Sequence, residues 1–144
     1  MKIINTQTGK TLCRIFGGEG LTLDEALALS DMETEQTNDT GETVWIDDDG
    51  EENWYEDMVL VNDAAKAFKI FLPKPDGTFH GVKMTAPGKY IGCYIADNDE
   101  PDAWEIAEQF AGEVGTMKDS RWSDNDTIYD ENGDTRIYVE EAEQ

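Results

Sequence analysis

The sequence predicts an α+β fold of two pseudo-repeats, each β-β-α-β-β, with their antiparallel sheets packed together. Three observations predict it. Thr6 and Thr85 each stand three residues ahead of a Gly-Lys pair, Gly9-Lys10 and Gly88-Lys89. Each half then carries a segment with helical periodicity. Each half closes on a turn signal, Asp49-Gly50 and Asn132-Gly133, flanked by aromatic and β-branched residues. A half of about 65 residues is marginal alone, so the halves are expected to form one compact unit.

The elements follow in order. Residues 1–10 and 80–89 open the halves, and Thr11-Leu12-Cys13-Arg14-Ile15 matches residues 90–95 once Gly92 is read as an insertion. Thr22-Leu23-Asp24-Glu25 is a capping box, in which hydroxyl and carboxylate each satisfy an orphan backbone donor. Behind it, Leu23, Ala26, Leu27 and Ser30 share a face. The second helix is expected to begin near Asp99-Glu100-Pro101, with Pro in the first turn. Its apolar stripe is Ala103, Ala107, Phe110 and Val114, flanked by Ile106, and Gly112 and Gly115 mark its end. Type I′ turns at the two closing signals would pair Trp45 with Trp54, Val44 with Tyr55, Ile128 with Ile137 and Thr127 with Tyr138. The expected boundaries are 1–61 for the first half, 62–79 for a connector and 80–144 for the second half. In the connector, residues 64–68 suggest a helical turn, residues 69–72 a strand and Pro75-Asp76-Gly77 a turn.

Charge sets the functional classes. The chain has 33 Asp and Glu against 11 Lys and Arg, for −22 over 144 residues. Phosphate neutralisation needs Lys and Arg, so a broad basic nucleic-acid face is excluded, and docking on anionic lipid is disfavoured. Aromatics at 10%, four of them Trp, argue for a folded chain despite the charge. No apolar run approaches a membrane span and the opening residues lack a signal-peptide pattern, so a cytoplasmic protein is expected, in a host cytoplasm if phage-encoded.

Sixteen acids and no Lys or Arg lie between Ile15 and Ala65, and seven acids with no base lie between Ile91 and Met117. Alternate strand residues and i, i+4 helix neighbours are spaced about 6–7 Å apart, in the range of charges along a nucleic-acid strand. The candidate partner-binding rows are Asp47, Asp49, Glu51 and Glu52 on the first hairpin, and Asp124, Asp126, Asp130, Glu131 and Asp134 on the second. Asp102, Glu105 and Glu108 lie on the exposed side of the second helix. Trp122 and Tyr129 are candidate apolar anchors among them.

In composition and size, the chain resembles the acidic DNA-mimic inhibitors of phages and mobile elements, including antirestriction and anti-CRISPR proteins. That resemblance implies a non-enzymatic inhibitor whose partner is the basic groove of a nucleic-acid-binding protein or nuclease complex, with no direct nucleic-acid or membrane binding. The alternative is a divalent-cation-binding or structural module with a solubility-driven acidic surface.

Other chemistry has little to stand on. Gly50 follows Asp47 by three residues, whereas an EF-hand loop places its Gly sixth. His80, Cys13 and Cys93 are too few for a soft-metal site, and both cysteines, in matching repeat positions, read as small buried hydrophobes. No nucleophile elbow or phosphate loop occurs. No catalytic residue, metal site or cofactor is assigned.

Overall fold

A computed structural model describes residues 1–17, 20–36, 41–98, 100–123 and 126–142 of the chain. The elements are β1 (Lys2–Asn5), β2 (Thr11–Arg14), α1 (Leu23–Leu29), β3 (Glu33–Gln36), β4 (Thr43–Ile46), β5 (Glu52–Trp54) and β6 (Met58–Val61), with a 3-10 turn at Tyr55–Asp57 joining the last two. They continue as β7 (Lys66–Phe79), β8 (Val82–Ala96), α2 (Ala103–Gln109), α3 (Ala111–Val114), β9 (Arg121–Ser123), β10 (Thr127–Tyr129) and β11 (Thr135–Glu141). The sheets run β2-β1-β6, β3-β4-β5 and β8-β7-β11-β10-β9. Every described strand pair is antiparallel, and the fold is α+β.

The helices form where local chemistry asks for them. Thr22 and Glu25 complete the capping box, and Ala26 and Leu27 are buried behind it. In the second helix the cap is Asp102, whose side chain accepts from Trp104 N–H and Glu105 N–H, so the helix starts after Pro101 rather than at it. Asp99 lies outside the described residues. The expected stripe is buried in full, although a break at Phe110 divides it between α2 and α3.

Three apolar clusters hold the molecule together. The largest packs Ile106, Phe110 and Val114 onto the five-stranded sheet at Phe68, Ile70, Tyr94, Ile128 and Ile137. A second packs α1 against Ile3, Leu12, Ile15 and Met58. The third joins Ile4 to Ala67, Cys93 and Ala142, and thus ties the first half to the second. Successive strand residues point to opposite faces, so Ile3 and Ile4 feed different clusters. A fully buried aliphatic side chain contributes about 1.5–3 kcal/mol, and Ile3, Ile70, Ile106, Ile128 and Ile137 are all 0% exposed. The cysteines are free and feed different clusters, Cys13 beside the second and Cys93 in the third. Burial pushes the Cys93 thiol up to about 11, which leaves it protonated and inert at neutral pH.

Three sequence expectations are corrected. Residues 62–79 are not a connector of short pieces: Lys66–Phe79 is one strand, with no helical turn at residues 64–68. Pro75-Asp76-Gly77 sits within that strand at a register shift, not in a turn. Neither closing hairpin has a type I′ turn, because Gly50 (φ +79) and Gly133 (φ +80) are left-handed while Asp49 and Asn132 are not. Both tips are instead three-residue loops, Asp47 bonding Glu51 and Gly50, and Asp130 bonding Asp134 and Gly133. The first ladder is thereby offset by one residue, giving Val44–Trp54 and Trp45–Asn53. In the second, a bulge between Ile128 and Tyr129 restores the expected Ile128–Ile137 and Thr127–Tyr138 pairs.

Gly9 marks a close approach between the halves. Its φ is +76, and a Cβ there would lie 2.9 Å from Ala142 Cβ, 3.1 Å from Cys93 Sγ and 3.3 Å from Ala67 Cβ. Gly9→Ala is therefore expected to destabilise by about 2–4 kcal/mol, against under about 0.5 kcal/mol for exposed Ala28→Ser, measured by urea unfolding.

Candidate anionic interface

The two hairpin tips are built alike around a buried aspartate. Asp47 Oδ1 accepts the N–H groups of Asp49 at 2.9 Å and Glu51 at 3.0 Å. Its Oδ2 meets Asn53 Nδ2 at 3.2 Å and the Lys10 ammonium at 3.2 Å. Asp130 repeats the pattern, with Asn132 N–H at 2.9 Å and Asp134 N–H at 3.1 Å on Oδ1 and the Arg136 guanidinium at 3.1 Å on Oδ2. The two side chains are 2% and 4% exposed. Burial pushes both carboxyls up, but hydrogen bonds from those amides, from Asn53 and from the Lys10 and Arg136 cations outweigh it, and both sit below the ordinary carboxylate value. Asp47 and Asp130 are thus tip organisers, not members of an exposed row. An Asp three residues ahead of a turn Gly, with its side chain free to cap the loop's amides, was the signal for this role.

A buried polar chain extends the first tip into the fold. Asn5 Nδ2 donates to Asn53 Oδ1 at 2.7 Å, and Asn5 Oδ1 accepts Gln7 N–H at 2.8 Å. The hairpin and the β1–β2 turn are therefore held as one body.

The other candidate carboxylates are exposed where described, with different degrees of freedom. Asp49 pairs with Lys10 at 2.5 Å, while Glu51 and Glu52 stand beside it in solvent. Asp102 caps α2, and Glu105 accepts a hydrogen bond from the Tyr94 phenol. Burial, together with that carboxylate, pushes the phenol up to about 12. Glu108 is exposed on the same helix. Glu131 accepts Lys118 N–H at 3.2 Å, and Asp134 is exposed next to the tip. Asp126 lies at the opposite end of β10, so the second group does not form a single row. Asp124 lies outside the described residues.

Residues that the sequence reading passed over complete the surface. All of β3 is exposed, and Glu33 pairs with Ile46, which pairs with Glu52, placing two carboxylates in one cross-strand line about 10 Å apart. Edge strands carry charge for their own protection, and that pattern was legible in Glu33-Thr34-Glu35. Trp122 and Tyr129 are half-buried, Trp122 against the main core, so neither is a free anchor. The exposed aromatic among the α2 acids is Trp104, 55% exposed.

Cations are placed at few of these groups. Among the described residues, ion pairs join Lys10 to Asp47 and Asp49, the N-terminal ammonium and Arg14 to Asp63, Lys66 to Glu141, Arg121 to Asp119, and Arg136 to Asp130. Among the described residues, no group of three or more His, Cys, Asp or Glu is arranged to hold a metal ion. A cleft of about 580 Å³ between β2, the end of α1 and the first tip contains Asp31, Asp47, Asp48 and Arg14. Its buried acid, Asp47, is held ionised, the opposite of what a general acid requires. Comparisons with protein-family models, characterised proteins and solved structures found no match.

Asp47→Ala and Asp130→Ala are each expected to destabilise by about 2–4 kcal/mol, because each strands two loop amides and a cation, whereas Glu51→Gln and Glu52→Gln stay within about 0.5 kcal/mol. Urea titrations of the four variants make the comparison. The depressed folded-state carboxyls also set a pH dependence. Their stabilisation is whole above the ordinary value of 3.8 and is lost as pH falls through the lower folded values, so thermal midpoints should drop on acidification, and less so in Asp47→Asn.

Proposed function

We propose that the protein acts without catalysis, as an anionic decoy that occupies the basic groove of a nucleic-acid-binding protein. The observation that carries this reading is the set of exposed carboxylates on preorganised supports, Glu33, Glu51 and Glu52 on the first sheet and Glu108 and Asp134 beside α2 and the second tip, in a chain of net charge −22. Ordinary solubility asks only for a net charge of roughly 2–8 in a small domain. Rigid tips present charge with little ordering entropy left to lose, and Trp104 supplies an apolar anchor among the helix acids. Long-range attraction accelerates the encounter, and apolar contact slows release. A cytoplasmic site of action fits that partner class.

The two halves further read as copies of one unit. The order β2-β1-β6, continued through the 3-10 turn into β5-β4-β3, parallels β8-β7-β11-β10-β9. On that reading, the repeat begins at β7 rather than at residue 80.

Affinity capture on the immobilised protein is expected to recover a nucleic-acid-binding protein whose complex weakens steeply with added salt and is displaced by duplex DNA. Joint Glu51→Gln, Glu52→Gln and Glu108→Gln substitution should weaken it at least about tenfold. Salt-independent binding, or a complex that still accepts DNA in the same groove, overturns the reading.

A further inference from the structure

Strands β7 and β8 run on past the sheet that anchors them. β11 pairs with β7 from Phe68 to Phe71. The Tyr138 hydroxyl then steadies β8 at Thr85, meeting its hydroxyl at 2.8 Å and donating to its carbonyl at 2.7 Å. Every residue from 74 to 85 is exposed, although most of them are strand. A bare two-stranded ladder is marginal in water. This one nevertheless carries Phe79, Val82 and Met84 at 64%, 62% and 43% exposure.

Register puts those side chains on one face. Phe79 pairs with Val82, and Met84 follows Val82 by two. Lys74 pairs with Ala86 and flanks the patch on the same side. The turn between the strands, His80 (φ +50) and Gly81 (φ +78), has both residues left-handed, as a type I′ turn requires, and this pins the register.

Charge separates the arm from the rest of the chain. The projecting residues 74–89 contain three lysines and one acid, Asp76, for +2, which leaves −24 on the remainder. Among the described residues, no carboxylate lies within ion-pair distance of Lys74, Lys83 or Lys89.

A complementary surface exists on the same chain. Beside exposed Trp104 runs a groove of about 320 Å³ floored by Ala107, Ala111 and Met117, with Glu108 at its rim. The Ser120 hydroxyl in its wall is buried without a hydrogen-bond partner. Within one molecule, the helical segment that walls the groove packs on β8 at Gly92, ten residues and roughly 33 Å along the strand from the turn.

We propose that the β7–β8 arm of one copy docks its Phe79–Val82–Met84 face into the Trp104 groove of a second copy, with Lys74 meeting Glu108. The acidic body repels polyanions, so the natural occupant of the groove brings both apolar surface and cations, and the arm brings both. Exchanged reciprocally, two such contacts close a two-fold dimer. This inference does not rest on the decoy reading, but it uses Trp104 and Glu108 as that reading does, so a second copy and a basic partner would compete for this face.

Sedimentation velocity of the full chain tests it. Wild type is expected to dimerise, with a dissociation constant below about 100 µM. The doubly substituted Phe79→Ser, Val82→Ser arm variant and the Trp104→Ala groove variant should each weaken association at least about tenfold with unchanged circular dichroism. Mixing the two should recover part of the association, because one arm and one groove remain intact. A wild type still monomeric at about 200 µM overturns the proposal. So does a dimer indifferent to either substitution, or an arm that instead shifts duplex DNA while the protein stays monomeric.

Discussion

Eleven cationic side chains serve thirty-three carboxylates, and where the cations stand decides much of this structure. A carboxylate removed from water is costly unless hydrogen bonds and an opposite charge replace the solvent. Lys10 and Arg136 meet that requirement at Asp47 and Asp130, the acids that the hairpin tips bury. Most other acids remain outside, where water and salt screen them. Their mutual repulsion is opposed by apolar burial in three clusters, not by ion pairing.

Strand β1 is the junction through which this balance is distributed. Ile3 turns into the cluster under α1, Ile4 into the cluster shared with the second half, and Asn5 into the polar chain that reaches the first tip. The first anionic tip is consequently tied to the body of the fold rather than carried on a loose loop. The β7–β8 arm is the counterpoint. Past the sheet, it gathers Lys74 and Lys83 with exposed Phe79, Val82 and Met84 on residues 74–85, all of them exposed.

Features governed by neighbours in sequence were legible. The Thr22–Glu25 box, the stripe from Ala103 to Val114 and the Ile128–Ile137 pair each depend on residues within a few turns or across one hairpin. The first hairpin was misread by one residue because its register answers to a distant group: Asn53 must face inward to meet Asn5, 48 residues away in sequence. Pro75-Asp76-Gly77 carries turn residues, yet a register shift lets the strand continue through them. For the candidate interface, base-free stretches showed that the surface would be acidic, but they could not separate Asp47 from Glu51 or Trp122 from Trp104.

By itself, then, the chain's order of residues determined the α+β class, the helix start at Thr22, the apolar stripe and the excess of negative charge, because those follow from local spacing and composition. Tertiary structure alone decided which acids are buried organisers and which face solvent, which Trp is exposed, and that Lys74 and Lys83 stand on one projecting arm with exposed apolar side chains. Burial and register depend on groups far apart along the chain, and only their packing brings those groups together.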